Sequence, residues 1–225
     1  MKKIIVLLLA ALLLFVSACG RQETTPPTGQ QETNSGSEAY DPSKTVEFEM
    51  KTSESNRIVT IGTVDKSLYN GPILITSFGQ STDAATLDTA MKRAGADYVY
   101  KPQATADEIA TYKTLVIAVG ASTKGLGQAG ISEKDETARA EAIMAKAKET
   151  GAQVVCVHIG GETRRGALSD ALADLVLPQC SLIILKEDAN WDGKFTNYAD
   201  QNKLPIILIF GQKDTVQVMT DDFGK

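Results

Sequence analysis

The sequence predicts a three-layer α/β sandwich on a doubly wound, mostly parallel sheet, and two observations carry that expectation. Apolar runs without alternation recur at residues 73–75, 115–119, 154–159, 182–185 and 206–210, with a weaker one at 98–100. A strand apolar at every position is buried on both faces, the habit of a parallel sheet covered by helices. The stretches between the runs carry helical spacing and helix punctuation, as the crossovers between parallel strands require. Alternation of the two gives the Rossmann or flavodoxin-like class.

Residues 46–63 alternate through Val46, Phe48 and Met50 and then Ile58, Val59 and Ile61, and could add an antiparallel edge hairpin at the N-terminal side. Residues 83–94 place Leu87, Met91 and Ala94 on one face and stop at Gly95. Residues 132–150 open with Ser132-x-x-Asp135, which resembles a capping box, turn Ala138, Ala142, Ile143 and Ala145 inward, and end at Gly151. Residues 168–176 end before Pro178, residues 195–202 before Pro205, and a helix over 213–223 follows the last strand.

Residues 1–18 read as a secretory signal. Lys2-Lys3 precede an apolar run over 4–16 that is shorter than the about 20 residues a membrane span needs, and small residues follow. Val16-Ser17-Ala18-Cys19 resembles a lipobox, cut before a cysteine that carries diacylglycerol. Cys19 is therefore the expected lipidation site, the membrane a partner through that lipid, and the extracytoplasmic face of the cell membrane the location. Residues 19–45 are polar apart from Tyr40 and read as a disordered tether, with a reach of roughly 25–30 Å for about 25 flexible residues. Residues 46–225 have the length of one domain and show no internal repeat. Loss of residues 1–18 removes Lys2 and Lys3 and no acid, taking the formal charge from −5 to −7 and arguing against nucleic acid as a partner. Cys156 and Cys180 remain after Cys19 and read as buried thiols, a disulfide between them being the lesser alternative.

A doubly wound sheet binds ligands at the carboxyl ends of its strands, where the strand order reverses. Four loops on that rim hold most of the glycines of residues 46–225, the single His, the single Trp and a cluster of charge. They supply the candidate ligand-binding residues: Gln80 and Ser81; Ser122, Lys124, Gly125 and Gly127; His158, Gly160, Gly161, Glu162, Arg164, Arg165, Ser169 and Asp170; Asn190 and Asp192. The competing reading for each loop is a tight turn that lets helix pack near sheet.

Gly125-x-Gly127-x-x-Gly130 matches a dinucleotide fingerprint in letters only. The glycines start several residues after the strand and the next helix is expected at Ser132, while Lys124 precedes the glycine that a phosphate-binding lysine should follow. No nucleotide cofactor is expected. The stretch still offers backbone N–H groups and a lysine to a small anion. Arg164 and Arg165 beside Glu162 and Asp170 are either a closed salt-bridge cluster or a guanidinium fork for a carboxylate or phosphate. A lone His158 ending a buried strand reads as structural, and one histidine makes no ordinary zinc site. Asp188-x-Asn190-x-Asp192-Gly193 resembles half a calcium loop, but Ala199 stands where the bidentate glutamate belongs, so a turn into the next helix is preferred and no metal is expected.

The strings Ser-Thr-Lys-Gly-Leu-Gly (122–127), His-Ile-Gly-Gly-Glu-Thr-Arg-Arg-Gly-Ala-Leu-Ser-Asp (158–170) and Asn-x-Asp-Gly (190–193) resemble an uncharacterised family of bacterial, mostly lipid-anchored α/β domains, domain of unknown function 6305. The resemblance covers most of residues 71–223. It implies an anchored α/β domain and supplies no activity. The leading expectation is a lipid-tethered extracytoplasmic module binding a small polar or anionic solute at the rim. One alternative is a hydrolase using Ser122 or Ser169 with His158, although Gly-Ala-Ser-Thr-Lys breaks the Gly-x-Ser-x-Gly elbow. The other is a partner-binding envelope protein.

Overall fold

Seven strands form one sheet in the order β1-β7-β6-β5-β4-β2-β3. A computed structural model of the chain describes residues 51–225, so the signal segment, Cys19, the tether and the 46–50 arm of the expected hairpin lie outside the described residues. Along the chain come β1 (Ile58–Ile61), β2 (Ile73–Phe78), α1 (Asp83–Arg93), β3 (Tyr98–Tyr100), β4 (Thr114–Val119), α2 (Thr123–Ala129) and α3 (Glu133–Thr150). Then follow β5 (Gln153–His158), α4 (Ala167–Val176), β6 (Cys180–Lys186), α5 (Lys194–Asn202), β7 (Ile206–Ile209) and α6 (Thr215–Phe223). Among the described residues no helix is long and apolar enough to cross a membrane.

All strand pairs are parallel except β1 with β7. Every residue of β2 and β4 is buried, because their alternate side chains serve two cores. Leu74, Phe78, Leu115 and Ile117 face α3, α4 and α5, where Ile143, Leu172 and Phe195 meet them. Ile73, Ile75, Val116 and Ala118 face α1 and α6, where Leu87, Met91 and Met219 meet them. The result is the expected three-layer α/β sandwich. Cys156 and Cys180 are buried free thiols, and burial pushes the Cys156 thiol up to about 12.

Helix ends follow their local chemistry. Ser132 Oγ accepts from Asp135 N at 3.1 Å and Gly151, at φ +68°, closes α3. The inward face of α3 differs from the expected one: Glu136, Ala140, Ile143, Met144 and Ala147 are buried, while Ala138, Ala142 and Ala145 are exposed. Alanine carries little information about helix phase, and the phase here is set by Ile143, Met144 and a charged residue with a partner indoors. The antiparallel edge expected within residues 46–63 is present: β1 pairs with β7, whose outer edge offers an unpaired ladder that a short antiparallel strand covers, while the 46–50 arm lies outside the described residues. Residues 123–129, expected as a loop, form α2: Ser122 Oγ caps it through Gly125 N at 3.1 Å, and Gly130 at φ +70° ends it.

The two glycines inside α2 differ sharply. A β-carbon at Gly125 would run into the Gln80 carbonyl oxygen, whereas one at Gly127 would meet nothing within 4 Å. Gly127→Ala should therefore raise stability by about 0.5–1 kcal/mol through helix propensity. Gly125→Ala should lower it by about 2 kcal/mol or more through overpacking. Denaturant unfolding of both variants checks the opposite signs.

Candidate functional site

With β1 set aside, the parallel strands run β3-β2-β4-β5-β6-β7, so the order reverses between β2 and β4. Because these strands are parallel, the loops after β2, β4, β5 and β6 share one rim, as expected. At the reversal the first two loops are zipped together. Gly120 N donates to Phe78 O at 2.9 Å, Ser122 N to Gly79 O at 2.8 Å, and Gln80 and Ala121 form an isolated antiparallel bridge. A β-carbon at Gly79 would lie 2.5 Å from Gly120 O, and Gly79 has φ +101°, so both space and backbone conformation call for glycine there.

Gln80 itself sits at φ +55°, a left-handed conformation uncommon outside glycine. A buried ion pair from α3 holds it there. Glu136, fully buried, accepts from Gly79 N at 2.6 Å and Gln80 Nε2 at 3.1 Å, while Arg139 donates Nε to Glu136 Oε2 and Nη2 to Oε1, both at 2.8 Å. Arg139 also reaches the carbonyls of Ala104, at 2.8 Å, and Ser77. A buried carboxylate so completely satisfied escapes most of the penalty that makes such groups rare. Gln80 is therefore part of the clamp and not a group offered to a ligand.

Beyond the clamp stands Asp83, the first residue of α1 and 1% exposed. Its Oδ1 accepts from Gln212 Nε2 at 3.2 Å, and its backbone N–H donates to Ser81 Oγ at 3.3 Å. Its Oδ2 is buried with no hydrogen-bond partner among the described residues. Two glycines make room for that oxygen: a β-carbon at Gly120 would come within 3.2 Å of it and one at Gly160 within 2.7 Å. Burial raises the Asp83 carboxyl above the usual aspartate range, against the opposing pull of His158, Ser81, Arg164 and Gln212. The stem of Arg164 lies across Gly160, beside this carboxyl; the residue is half-buried, and its guanidinium has no ion-pair partner among the described residues.

Several expected site residues have other employment. His158 is 1% exposed, with Nδ1 2.9 Å from Val119 O, Nε2 3.3 Å from Gly161 O and its ring 5.6 Å from that of Phe195. Both nitrogens face backbone carbonyls, and burial lowers the pKa of the ring. Ser122 Oγ caps α2, and Ser169 Oγ accepts from Ala121 N at 2.8 Å. The serine and histidine pieces of the hydrolase alternative thus lie against backbone groups, with both imidazole nitrogens turned to backbone carbonyls. Arg165 closes on itself as the salt-bridge reading expected. Its side chain, 4% exposed, donates to Asp170 at 2.6 Å and Asp192 at 2.7 Å and to the Ala189 carbonyl, and lies over the Trp191 and Phe195 rings. Arg165, Asp170 and Asp192 consequently form an internal tie between the β5 and β6 loops.

The half-calcium string behaves as a turn. Asp188 pairs with Lys186, Asp192 accepts from Lys194 N at 3.1 Å, and Asn190 exchanges hydrogen bonds with Thr196. Among the described residues no group of three or more His, Cys, Asp or Glu side chains could hold a metal ion. The expected nest of N–H groups at 120–130 is corrected too, since α2 takes those amides into a helix. Lys124 and Glu162 are exposed on the rim without ion pairs among the described residues, and Gly161, at φ +73°, packs against Asp188. The group the sequence reading missed is Asp83 with Gln212. An aspartate at the start of a helix is an ordinary partner of the helix dipole, so no local signal marked it.

Residues 70–223 match the family model described as Domain of unknown function (DUF6305). No curated protein and no solved structure matches the chain.

Asp83 has a stability signature. A carboxyl with a raised native pKa holds a proton that the unfolded chain releases, so between about 4 and the raised value stability falls as pH rises. Above that window the buried charge is a constant cost. Asp83→Asn should flatten this slope and raise the melting temperature at pH 7 by about 2–4 °C, the shift for about 1 kcal/mol in a domain of this size. Thermal unfolding from pH 4 to 8 checks both the sign and the loss of slope.

Proposed function

The chain belongs to the family Domain of unknown function (DUF6305), whose description assigns no activity, and we propose that it is a lipid-anchored, extracytoplasmic domain that binds a small polar ligand at the strand-order reversal. The observation that carries the reading is the unpartnered, buried Asp83 Oδ2 beside an uncommitted Arg164. A stranded buried acceptor costs about 1–3 kcal/mol, more when charged, and a ligand donor would recover it. The complementary ligand carries an amine or hydroxyl for Asp83 and an anionic group for the Arg164 guanidinium, with Lys124 adding positive charge on the same rim. Rotation of Arg164 off Gly160 opens the crevice. Ser81 and Gln212 hold the carboxyl in place.

The anchor half of the proposal rests on the Val16-Ser17-Ala18-Cys19 string and the polar stretch behind it. Metabolic labelling with a radioactive fatty acid should mark the native chain and leave Cys19→Ala unlabelled; an unlabelled native chain refutes the anchor. Titration calorimetry of the chain lacking residues 1–19 against pooled amino acids, hydroxy acids, phosphates and sugars should give saturable heat for at least one pool. Arg164→Ala should weaken that binding about tenfold or more, ~1.4 kcal/mol, and Asp83→Asn should act in the same direction. Folded protein that takes up none of the pools, or binding indifferent to both substitutions, overturns the proposed site.

A further inference from the structure

The α1 and α6 helices enclose a groove on one face of the sheet, with a cavity of about 520 Å³, within the size range of small-molecule sites. Along α1, Thr82, Thr86, Thr89 and Arg93 line it at helical spacing, with the small side chains of Ala85 and Ala90 between them. Gln212, Lys213 and Thr215 line it from the other side.

Three features of this lining select an anion. Arg93 and Lys213 are exposed and form no ion pair among the described residues, and no carboxylate lines the groove, in a chain whose formal charge is −5. The start of α6 is uncapped by a side chain, because Asp214 is committed to Gly211 N at 2.8 Å and to Arg57 Nε and Nη2 at 2.8 and 2.9 Å. The turn over residues 212–214 runs into α6, and the Thr215 N–H donates within it to the Gln212 and Lys213 carbonyls. Thr215 Oγ1, on a fully buried residue, has no hydrogen-bond partner among the described residues, which leaves a donor for an incoming oxygen.

The remaining hydroxyls suit a different part of the same ligand. Thr86 donates to Thr82 O at 3.4 Å and Thr89 to Ala85 O at 3.0 Å, so their oxygens are left to accept from ligand hydroxyls. We infer that this groove binds a small hydroxylated oxyanion, a sugar or polyol bearing phosphate or carboxylate. The oxyanion sits by Lys213 and Thr215, and the hydroxyls run along the threonine stripe toward Arg93. This site is separate from the Asp83 crevice, although Gln212 lines one and hydrogen-bonds in the other.

The test is amide NMR titration of the full chain, isotope-labelled and in detergent, with glucose 6-phosphate, glucuronate, inorganic phosphate and glucose. Glucose 6-phosphate or glucuronate should shift the amides of Thr82, Thr86, Thr89, Lys213 and Thr215 saturably, with phosphate weaker and glucose inert. The two oxyanion sugars distinguish a phosphate from a carboxylate requirement. Combined Arg93→Ala and Lys213→Ala should weaken binding tenfold or more, and Thr215→Val should weaken it in an otherwise unchanged spectrum, while Arg164→Ala leaves it intact. No saturable shift with either sugar oxyanion, or shifts undiminished in the double variant, overturns the inference. Binding lost in Arg164→Ala and retained in the double variant also overturns it, and leaves the crevice reading standing.

Discussion

Glu136 reaches from α3 to the end of β2 and accepts hydrogen bonds from the Gly79 amide, the Gln80 side chain and Arg139. The rest of the rim depends on this contact. It holds Gln80 in a left-handed conformation and lays the β2 loop against the β4 loop, close enough that Gly79 and Gly125 have no room for a side chain. From that seam α1 departs with Asp83 in its first turn, and α2 begins with Ser122 as its cap. Had α3 presented an alanine there, a buried guanidinium and a loop amide would lack their acceptor, and the strand-order reversal would lose its rigid floor.

Against this background the two kinds of charge on the rim separate cleanly. The Arg165 cluster is complete: two carboxylates, a carbonyl and two aromatic faces take up one guanidinium, and its work is to tie the β5 loop to the β6 loop. Asp83 is incomplete, with one oxygen stranded and its proton affinity raised. Strain and unmet polarity persist in folded proteins where the surrounding structure over-determines them, and they collect at sites of use. The neighbouring arginines Arg164 and Arg165 show the contrast within one dipeptide, the second spent on structure and the first without an ion pair among the described residues.

How much was legible in the letters depends on the range of the interaction. Unbroken apolar runs such as Leu115 to Val119 announce burial on both faces, and Ser132 and Gly151 announce the ends of α3, because each signal is written within a few residues. The alanines of α3 do not reveal its phase, since Glu136 turns inward only because Gly79 and Gln80 wait for it. The glycines of 120–130 looked like an open loop. Ser122 and Gly130 make them a helix, and only the Gln80 carbonyl explains why Gly125 is glycine.

What the sequence determined by itself was the layered α/β class, the shared rim of the parallel strands and the order of helices and strands, all properties of periodicity and local capping. The tertiary structure alone decided which charges are satisfied. It paired Arg165 with Asp170 and Asp192, turned both nitrogens of His158 onto carbonyls, and left Asp83 and Thr215 each with a buried oxygen unmet. The reason is physical: hydrogen bonds and ion pairs are settled within about 3 Å, and partners such as Arg165 and Asp192 or His158 and Val119 stand 27 and 39 residues apart, so no short window of sequence shows which pairs close.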